Sequence, residues 1–338
     1  MRKLYFLLPG TGGKFACGGL WAELKTLSLA QQICDAEVVT YRQREKETLF
    51  LDDVLQQANL SQTNLSQVIF VMSWGFDVPK LAKRLQRYHT IYHAHSAGYG
   101  FRLPSAVPIV TVSRNSLGYW GQRSPHALLY YLPNQIGNEF RNLNQNRDID
   151  VLVQARKSSE YLMQQLIPAL QSHCNVYVVN HYVEDLAQLF NRAKVYLYDS
   201  AEYWAQQGVS EGFGLQPLEA MACGCQVFSS INGGLSDYLD PGFNCYKIAA
   251  HSLNYDLQRI LAIAQQNQPL ALPDTFLAEY RTDNILSRLR LILTEINQFF
   301  DQSSHGRSVD AQAIKELTQS RILQLKAKRL LQKLQKRR

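Results

Sequence analysis

Glu211-Gly-Phe-Gly-Leu-Gln-Pro-Leu-Glu-Ala-Met-Ala-Cys-Gly224 places two carboxylates, Glu211 and Glu219, eight residues apart around a glycine loop that opens a helix. Pro217 has φ already set and no amide to donate, so it suits the first helical position, and Gly224 suits the position just past the end. The spacing predicts a short helix over 217–223, with Glu219 in its first turn and Glu211 in the loop before it. The amides of Gly212, Phe213, Gly214 and Leu215 are then left to face a ligand at the positive end of the helix dipole, which makes a phosphate site. Carboxylates do not bind phosphate, so Glu211 and Glu219 are expected to accept hydrogen bonds from hydroxyls beside it. A nucleotide-sugar offers that combination, with a diphosphate flanked by a sugar and a ribose.

Working outward, apolar strands flank this segment at 193–199 and 225–229, and the same half reads as strand 151–154, helix 160–171, strand 176–179 and helix 183–190. The first half opens with a buried strand at 4–8, the glycine-rich loop Pro9-Gly-Thr-Gly-Gly-Lys-Phe-Ala-Cys-Gly-Gly19, an apolar helix at 20–33 and a strand at 37–41. The loop lacks a clean G-x-G-x-x-G, and no acid stands at the end of the second strand, which disfavours NAD. Further strands at 68–72, 90–93 and 108–112 end in the turns Ser73-Trp-Gly75, His95-Ser-Ala-Gly98 and Ser113-Arg-Asn115, and Leu132-Pro-Asn134 closes the half. A polar link over 137–148 separates the halves. The expected architecture is therefore α/β, two Rossmann-like β/α/β domains facing across a cleft, over 1–140 and 149–300. A helical stretch at 274–300 completes the fold.

Bulk properties agree. A length of 338 residues suits two domains, and 46% apolar with 19% charged residues suits a globular protein. No run approaches the roughly 18 apolar residues of a membrane span, and 4–9 is too short for a signal peptide, so a cytoplasmic protein is expected. Six scattered cysteines form no disulfide framework, and Cys223-Gly-Cys225 reads as buried thiols at a helix-to-strand turn. Asp148-Ile-Asp150 lies in the link just before a strand and reads as solvated acids, not a metal site. The formal charge of +7 is concentrated in one segment: nine Lys or Arg against one acid give residues 311–338 a charge of +8 and leave about −1 elsewhere. That tail places Leu323, Ala327, Leu330 and Leu334 on one helical face, with Lys326, Arg329, Lys333 and Lys336 largely off it. It reads as a solvated helix, a partner helix or a peripheral anchor on anionic lipid, and weak membrane association is expected. It lacks the interleaved aromatics of a nucleic-acid surface.

The segment from Glu211 to Gly224 resembles the signature of retaining glycosyltransferases of the GT-B fold, the family 4 (group 1) enzymes in particular. The turns at Ser73, His95 and Ser113 and the Pro133-Asn134 pair resemble, in order, positions of that family's first domain. The resemblance implies that Glu211 contacts the donor sugar and Glu219 the ribose, with Gly212 to Leu215 at the phosphates. It implies that Arg156, with Lys157 beside it, reaches the diphosphate, and that Gly12 and Gly13 approach donor phosphate or acceptor. His95 is expected near the reacting sugar, donating to a hydroxyl or to developing charge. His93 and His95 share a face if their strand persists and diverge if it ends at His93. Three positions depart from the family pattern: Ala155 stands where Gly is usual before Arg156, Tyr161 where a Lys is usual, and Asp237 where Glu is common. The implied activity is transfer of a sugar from a nucleoside-diphosphate sugar, with retention and no metal, to an unidentified acceptor; the membrane association expected of residues 311–338 would suit a lipid-linked one. A GT-B-like binding protein without turnover is the alternative. The last helix of the family often crosses back to the first domain.

Overall fold

In the first half, Lys3–Leu8 forms β1, whose side chains at Leu4, Phe6, Leu7 and Leu8 are buried on both faces, as befits a central parallel strand. The computed structural model describes residues 1–61, 65–249 and 252–303, together with Ser320, Leu323, Gln324 and Ala327. Around β1 run β2 (Ala36–Thr40), β3 (Leu49–Phe50), β4 (Val68–Met72), β5 (His89–Ala94), β6 (Ile109–Thr111) and β7 (Leu129–Tyr131). They form one sheet in the order β3-β2-β1-β4-β5-β6-β7, with every pairing parallel. The chain therefore builds outward from β1 in one direction, then returns to build from β4 in the other. In such a sheet the carboxyl ends of β1 and β4 flank the topological switch point, where ligands bind.

The pleat sends Leu7, Phe70 and Tyr92 into one core with Leu51, Leu81 and Trp120 from covering helices. It sends Leu4, Phe6, Ile69, Val71 and Ile91 into the opposite core, against Leu27 and Leu29 of the helix Gly18–Ala30. Ile285, Leu289, Ile292, Leu293, Ile296 and Phe300 share that second core. They are the apolar stripe of the helix Thr282–Ser303, which buried Arg2 also ties to β1 through Asn297 (2.9 Å) and Asp301 (2.6 Å). The helix at the end of the expected second domain thus belongs with the first sheet, because its stripe matches that sheet's apolar face. The two compact units are Met1–Gln135 with the chain from Asp283, and Ile136–Thr282. The stretch read as one helix at 274–300 is broken into Asp274–Ala278 and Thr282–Ser303.

The second unit holds β8 (Ile149–Gln154), β9 (Val176–Val179), β10 (Ala193–Tyr198), β11 (Gln226–Ser229) and β12 (Tyr246–Lys247), all parallel in the order β12-β11-β10-β8-β9. Its switch point lies between β8 and β10. The helix expected over 160–171 passes through a π turn at Leu162–Leu166 before α geometry resumes at Ile167–Gln171. Pro168 has no amide to continue the ladder there. The short strands β3, β7 and β12, of two or three residues each, were not read from the sequence because alternation needs more length. Among the described residues no helix is long and apolar enough to cross a membrane. The amphipathic tail expected over 311–338 lies, apart from four residues, outside the described residues.

Candidate active site

At the switch point of the second unit, the chain leaves β10 through Asp199-Ser200 into the helix Ala201–Gln207, which ends on Gly208 in the left-handed region (φ 70°). An extended segment then carries Glu211 to Gly214, whose φ of 71° turns the chain into the helix Leu215–Ala222. This helix begins two residues earlier than expected, so Pro217 occupies its third position and Glu219 opens the second turn. The early start is possible because the first four amides of a helix have no internal acceptor, and a proline anywhere among them removes nothing. Gly224, at φ 85°, ends the helix as its composition requires. Among the described residues the amides of Gly212, Phe213, Gly214 and Leu215 donate to no protein acceptor. They are a set of free donors at a helix N-terminus.

Glu211 is buried at 4% exposure, and one oxygen of its carboxylate is fully occupied. Oε2 accepts from the Tyr198 phenol (2.9 Å), the Ser200 hydroxyl (2.8 Å) and the Trp204 indole N–H. Burying a carboxylate is costly unless donors replace its water, and these three do so without neutralising it. Burial and the Glu211 charge hold the Tyr198 phenol well above its ordinary range, so it remains a donor. The other oxygen, Oε1, faces Lys157 Nζ at 3.8 Å, and that ammonium lies 4.5 Å from the centre of the Trp204 ring.

Lys157 and the exposed Arg156 follow β8, on the other side of the switch point from Tyr198. Lys157 adopts a φ of 70°, a conformation that costs a non-glycine residue about 1 kcal/mol. Tyr161, standing where the family pattern has Lys, donates its hydroxyl to Asp256 at 2.8 Å and brings no cation. Glu219 is buried at the start of the helix's second turn. The turn Gly233–Asp237 packs directly on the Glu211 loop: Gly234 donates to Glu211 O at 3.0 Å, and a Cβ on Gly233 or Gly234 would overlap the backbone of Glu211 or Gly212. The two glycines are thus explained by close backbone approach.

Two sequence motifs resolve as structural. Asp148 pairs with Arg192 and Asp150 with Lys194 (2.7 Å), at the amino end of the sheet and away from the switch point. Cys223 and Cys225 direct their thiols at the carbonyls of Ala187, Phe190 and Ala193, and burial pushes the Cys225 thiol up to about 12.

In the first unit, Gly12 and Gly13 follow β1 at its switch point. Gly13 is exposed at φ 57°, and nothing lies within 4 Å of a Cβ added at either residue. The preceding Thr11 gives both its amide (2.9 Å) and its hydroxyl (2.5 Å) to Glu45. β5 runs to Ala94, so His93 and His95 share a face, with ring centres 4.4 Å apart. Both reach the same oxygen of Glu23, which the helix Gly18–Ala30 supplies: His93 Nδ1 lies 2.5 Å and His95 Nε2 2.7 Å from Oε2. Glu23 is 1% exposed and the His95 side chain 15%. Their potential ligand atoms lie within 4.8 Å of one another, the one such trio with metal-ligand chemistry among the described residues.

Sequence reading missed Tyr198, Ser200, Trp204 and Glu23. A signal existed for the last: Glu23 sits three residues after Leu20 and four before Leu27, on the buried side of an apolar helix, where an unpaired acid does not belong.

Residues 135–268 match the family model for glycosyl transferases group 1. A comparison with curated proteins finds no match. The fold is shared with sucrose-phosphate synthase from Thermosynechococcus elongatus (14% identity, TM-score 0.64, 88% of this chain and 100% of that chain). It is shared also with Anabaena HepE in complex with UDP and glucose (15%, 0.56, 87% and 100%) and a glycosyltransferase from Rickettsia africae (10%, 0.61, 88% and 99%). At such identities the likeness is one of fold, and that fold is GT-B, with two Rossmann-like domains.

Proposed function

We propose that this protein is a retaining glycosyltransferase of the family 4 type, moving a sugar from a nucleoside-diphosphate sugar to an acceptor. The observation that carries the reading is the pairing of four undonated amides at a helix N-terminus with a buried carboxylate that keeps one oxygen uncommitted to any hydrogen bond. Cleaving a sugar–phosphate bond builds negative charge on the departing diphosphate, which amides and cations must neutralise. The amides of Gly212 to Leu215 meet that charge, assisted by Arg156 and Lys157. Glu211 Oε1 accepts from a hydroxyl of the donor sugar, and its approach loosens the long contact to Lys157, which is then released toward phosphate. Glu219 serves the ribose, His95 the reacting sugar, and Gly12 and Gly13 the donor phosphate or acceptor. This division of labour involves no metal.

The UDP and glucose of the HepE complex support a uridine donor as the first to try. Retention follows the family resemblance around Glu211. The cationic, leucine-striped sequence of 311–338 supports attachment to the cytoplasmic face of a membrane and a lipid-linked acceptor. Tyr161 in place of a cation favours one competing reading, a donor-binding protein without turnover.

Thermal unfolding against a panel of UDP-, GDP- and ADP-sugars tests the proposal. One donor class should raise the melting temperature by a few degrees at saturating ligand, and Glu219→Ala should shrink that rise. No rise with any nucleotide-sugar refutes the function, and a rise without sugar transfer or donor hydrolysis selects the binding protein.

A further inference from the structure

We propose that Glu23 is a positioning residue for His95: its carboxylate holds the imidazole as the Nε2–H tautomer and leaves Nδ1 as the nitrogen offered to a substrate hydroxyl. The inference rests on the reading of His95 as a sugar-side residue and changes what that residue does.

An ionised carboxylate only accepts hydrogen bonds, so two ring nitrogens on one of its oxygens must both carry protons. His93 then donates through Nδ1 and His95 through Nε2. Glu23 is ionised: burial would push its carboxyl up, but the charge and hydrogen bonds of His93 and His95 bring it down to about 2. Burial and the neighbouring His93 lower the pKa of His95, which is therefore neutral at neutral pH. In a neutral imidazole the proton on Nε2 leaves a lone pair on Nδ1. His95 so held accepts a hydrogen bond or a proton, and it donates from Nδ1 only when charged. Among the described residues, Tyr92 of β5 is a further titratable group that interacts with Glu23, and Tyr92 in turn interacts with Tyr99 and Tyr119. The arrangement is not one that packing alone favours, since Glu23 Oε1 and His93 Nε2 are buried with no partner. Each such atom gives up the hydrogen bonds that water would supply, a penalty that an apolar trio in the same place would not carry.

Long-range proton–nitrogen NMR of the full-length protein with labelled histidine reads the tautomer directly. Wild-type His95 should show Nε2–H at neutral pH; Glu23→Gln, whose amide also donates, should shift it toward Nδ1–H, and Glu23→Asp should restore Nε2–H. With a working donor, Glu23→Gln should lower kcat roughly 100-fold, the low end for a positioned proton-transfer group, with donor KM changed less than about threefold. Wild-type His95 in the Nδ1–H form overturns the proposal even if no variant folds. So does an unchanged tautomer in folded Glu23→Gln, or stoichiometric zinc binding by the wild type that Glu23→Gln abolishes. The tautomer is read without substrate, so failure of the transferase reading would appear separately, as absent turnover with the Nε2–H signal intact.

Discussion

Each unit buries a glutamate beside the carboxyl ends of a parallel sheet, and the two are partnered in opposite ways. Glu211 in the second unit is surrounded by donors that cannot take its charge away: a phenol, a hydroxyl and an indole, with Lys157 standing off at 3.8 Å. Glu23 in the first unit is gripped by two imidazoles at 2.5 and 2.7 Å. Neutral donors preserve a carboxylate as an acceptor and leave its second oxygen for a ligand. Imidazoles instead convert the carboxylate into a device that fixes where protons sit on the rings. On the proposed reading, the same residue type, similarly buried, binds in one unit and orients in the other, and the difference in partners is what supports that reading.

The contrast is broken most directly at Glu211. Glu211→Gln keeps the shape but puts an amide N–H where an acceptor is required, so transfer should fall about 10²–10³-fold, the size of effect seen when one charge-stabilising group is removed from an active site. Nucleotide affinity, measured by calorimetry with the diphosphate alone, should change little, because the amides of Gly212 to Leu215 do not depend on the carboxylate. Equal loss of both would show that Glu211 shapes the loop and has no role at the sugar. Next in size, Gly234→Ala tests the loop itself. The added Cβ would overlap Gly212 O, so the variant should lose about 1–3 kcal/mol of stability in denaturant titration, as overpacking does. A neutral result would mean that the two loops separate freely.

How much of this was legible in the sequence depended on how far apart the interacting residues lie along the chain. The Glu211–Gly224 segment was legible because its chemistry is local: loop, helix start and cap follow one another, and only the register was off, by two residues at Pro217. Strands β4 and β9 were read to the residue because apolar runs of four or five bounded by polar turns leave little choice. The domain bounds keep the long last helix with the second half while the family resemblance has it cross back, and its stripe packs on the first sheet; an apolar stripe shows that a face is buried but not which sheet buries it. Glu23 was missed because its partners are 70 and 72 residues away, and no local spacing encodes a contact between a helix and the end of the fourth strand after it. Tyr198, Ser200 and Trp204 lie closer to Glu211, but a tyrosine closing an apolar strand, a serine before a helix and a tryptophan within it read as ordinary core and cap.

Glu23 should reveal its partners in acid. A carboxyl that titrates at about 2 in the folded chain and at its ordinary 4.5 when unfolded contributes stability that is fully present above 4.5 and is lost as pH falls through about 2. Glu23→Gln removes that dependence, so its stability should fall less steeply than that of the wild type between pH 4.5 and 2. Parallel acid-unfolding curves for the two proteins would show that the imidazoles do not hold Glu23 ionised.

The smallest expected effect lies at Lys157, where stability and function should part. Its φ of 70° is a conformation that glycine adopts freely and lysine does not, yet the chain keeps lysine there, next to Glu211 and over Trp204. In Lys157→Gly the backbone strain disappears, against which the unfolded chain gains freedom and a long contact to a buried carboxylate is lost. These terms are each about 1 kcal/mol, so the melting temperature should move by no more than a few degrees in either direction. Donor affinity should nevertheless fall about tenfold, the loss of one charge-assisted contact to phosphate. Lys157→Arg keeps the charge and the strain together, so it should recover much of the affinity without changing stability. Affinity that survives Lys157→Gly would leave Arg156 and the helix amides as sufficient for the diphosphate, and the contact to Glu211 would then be only a way of neutralising a buried acid until the sugar arrives.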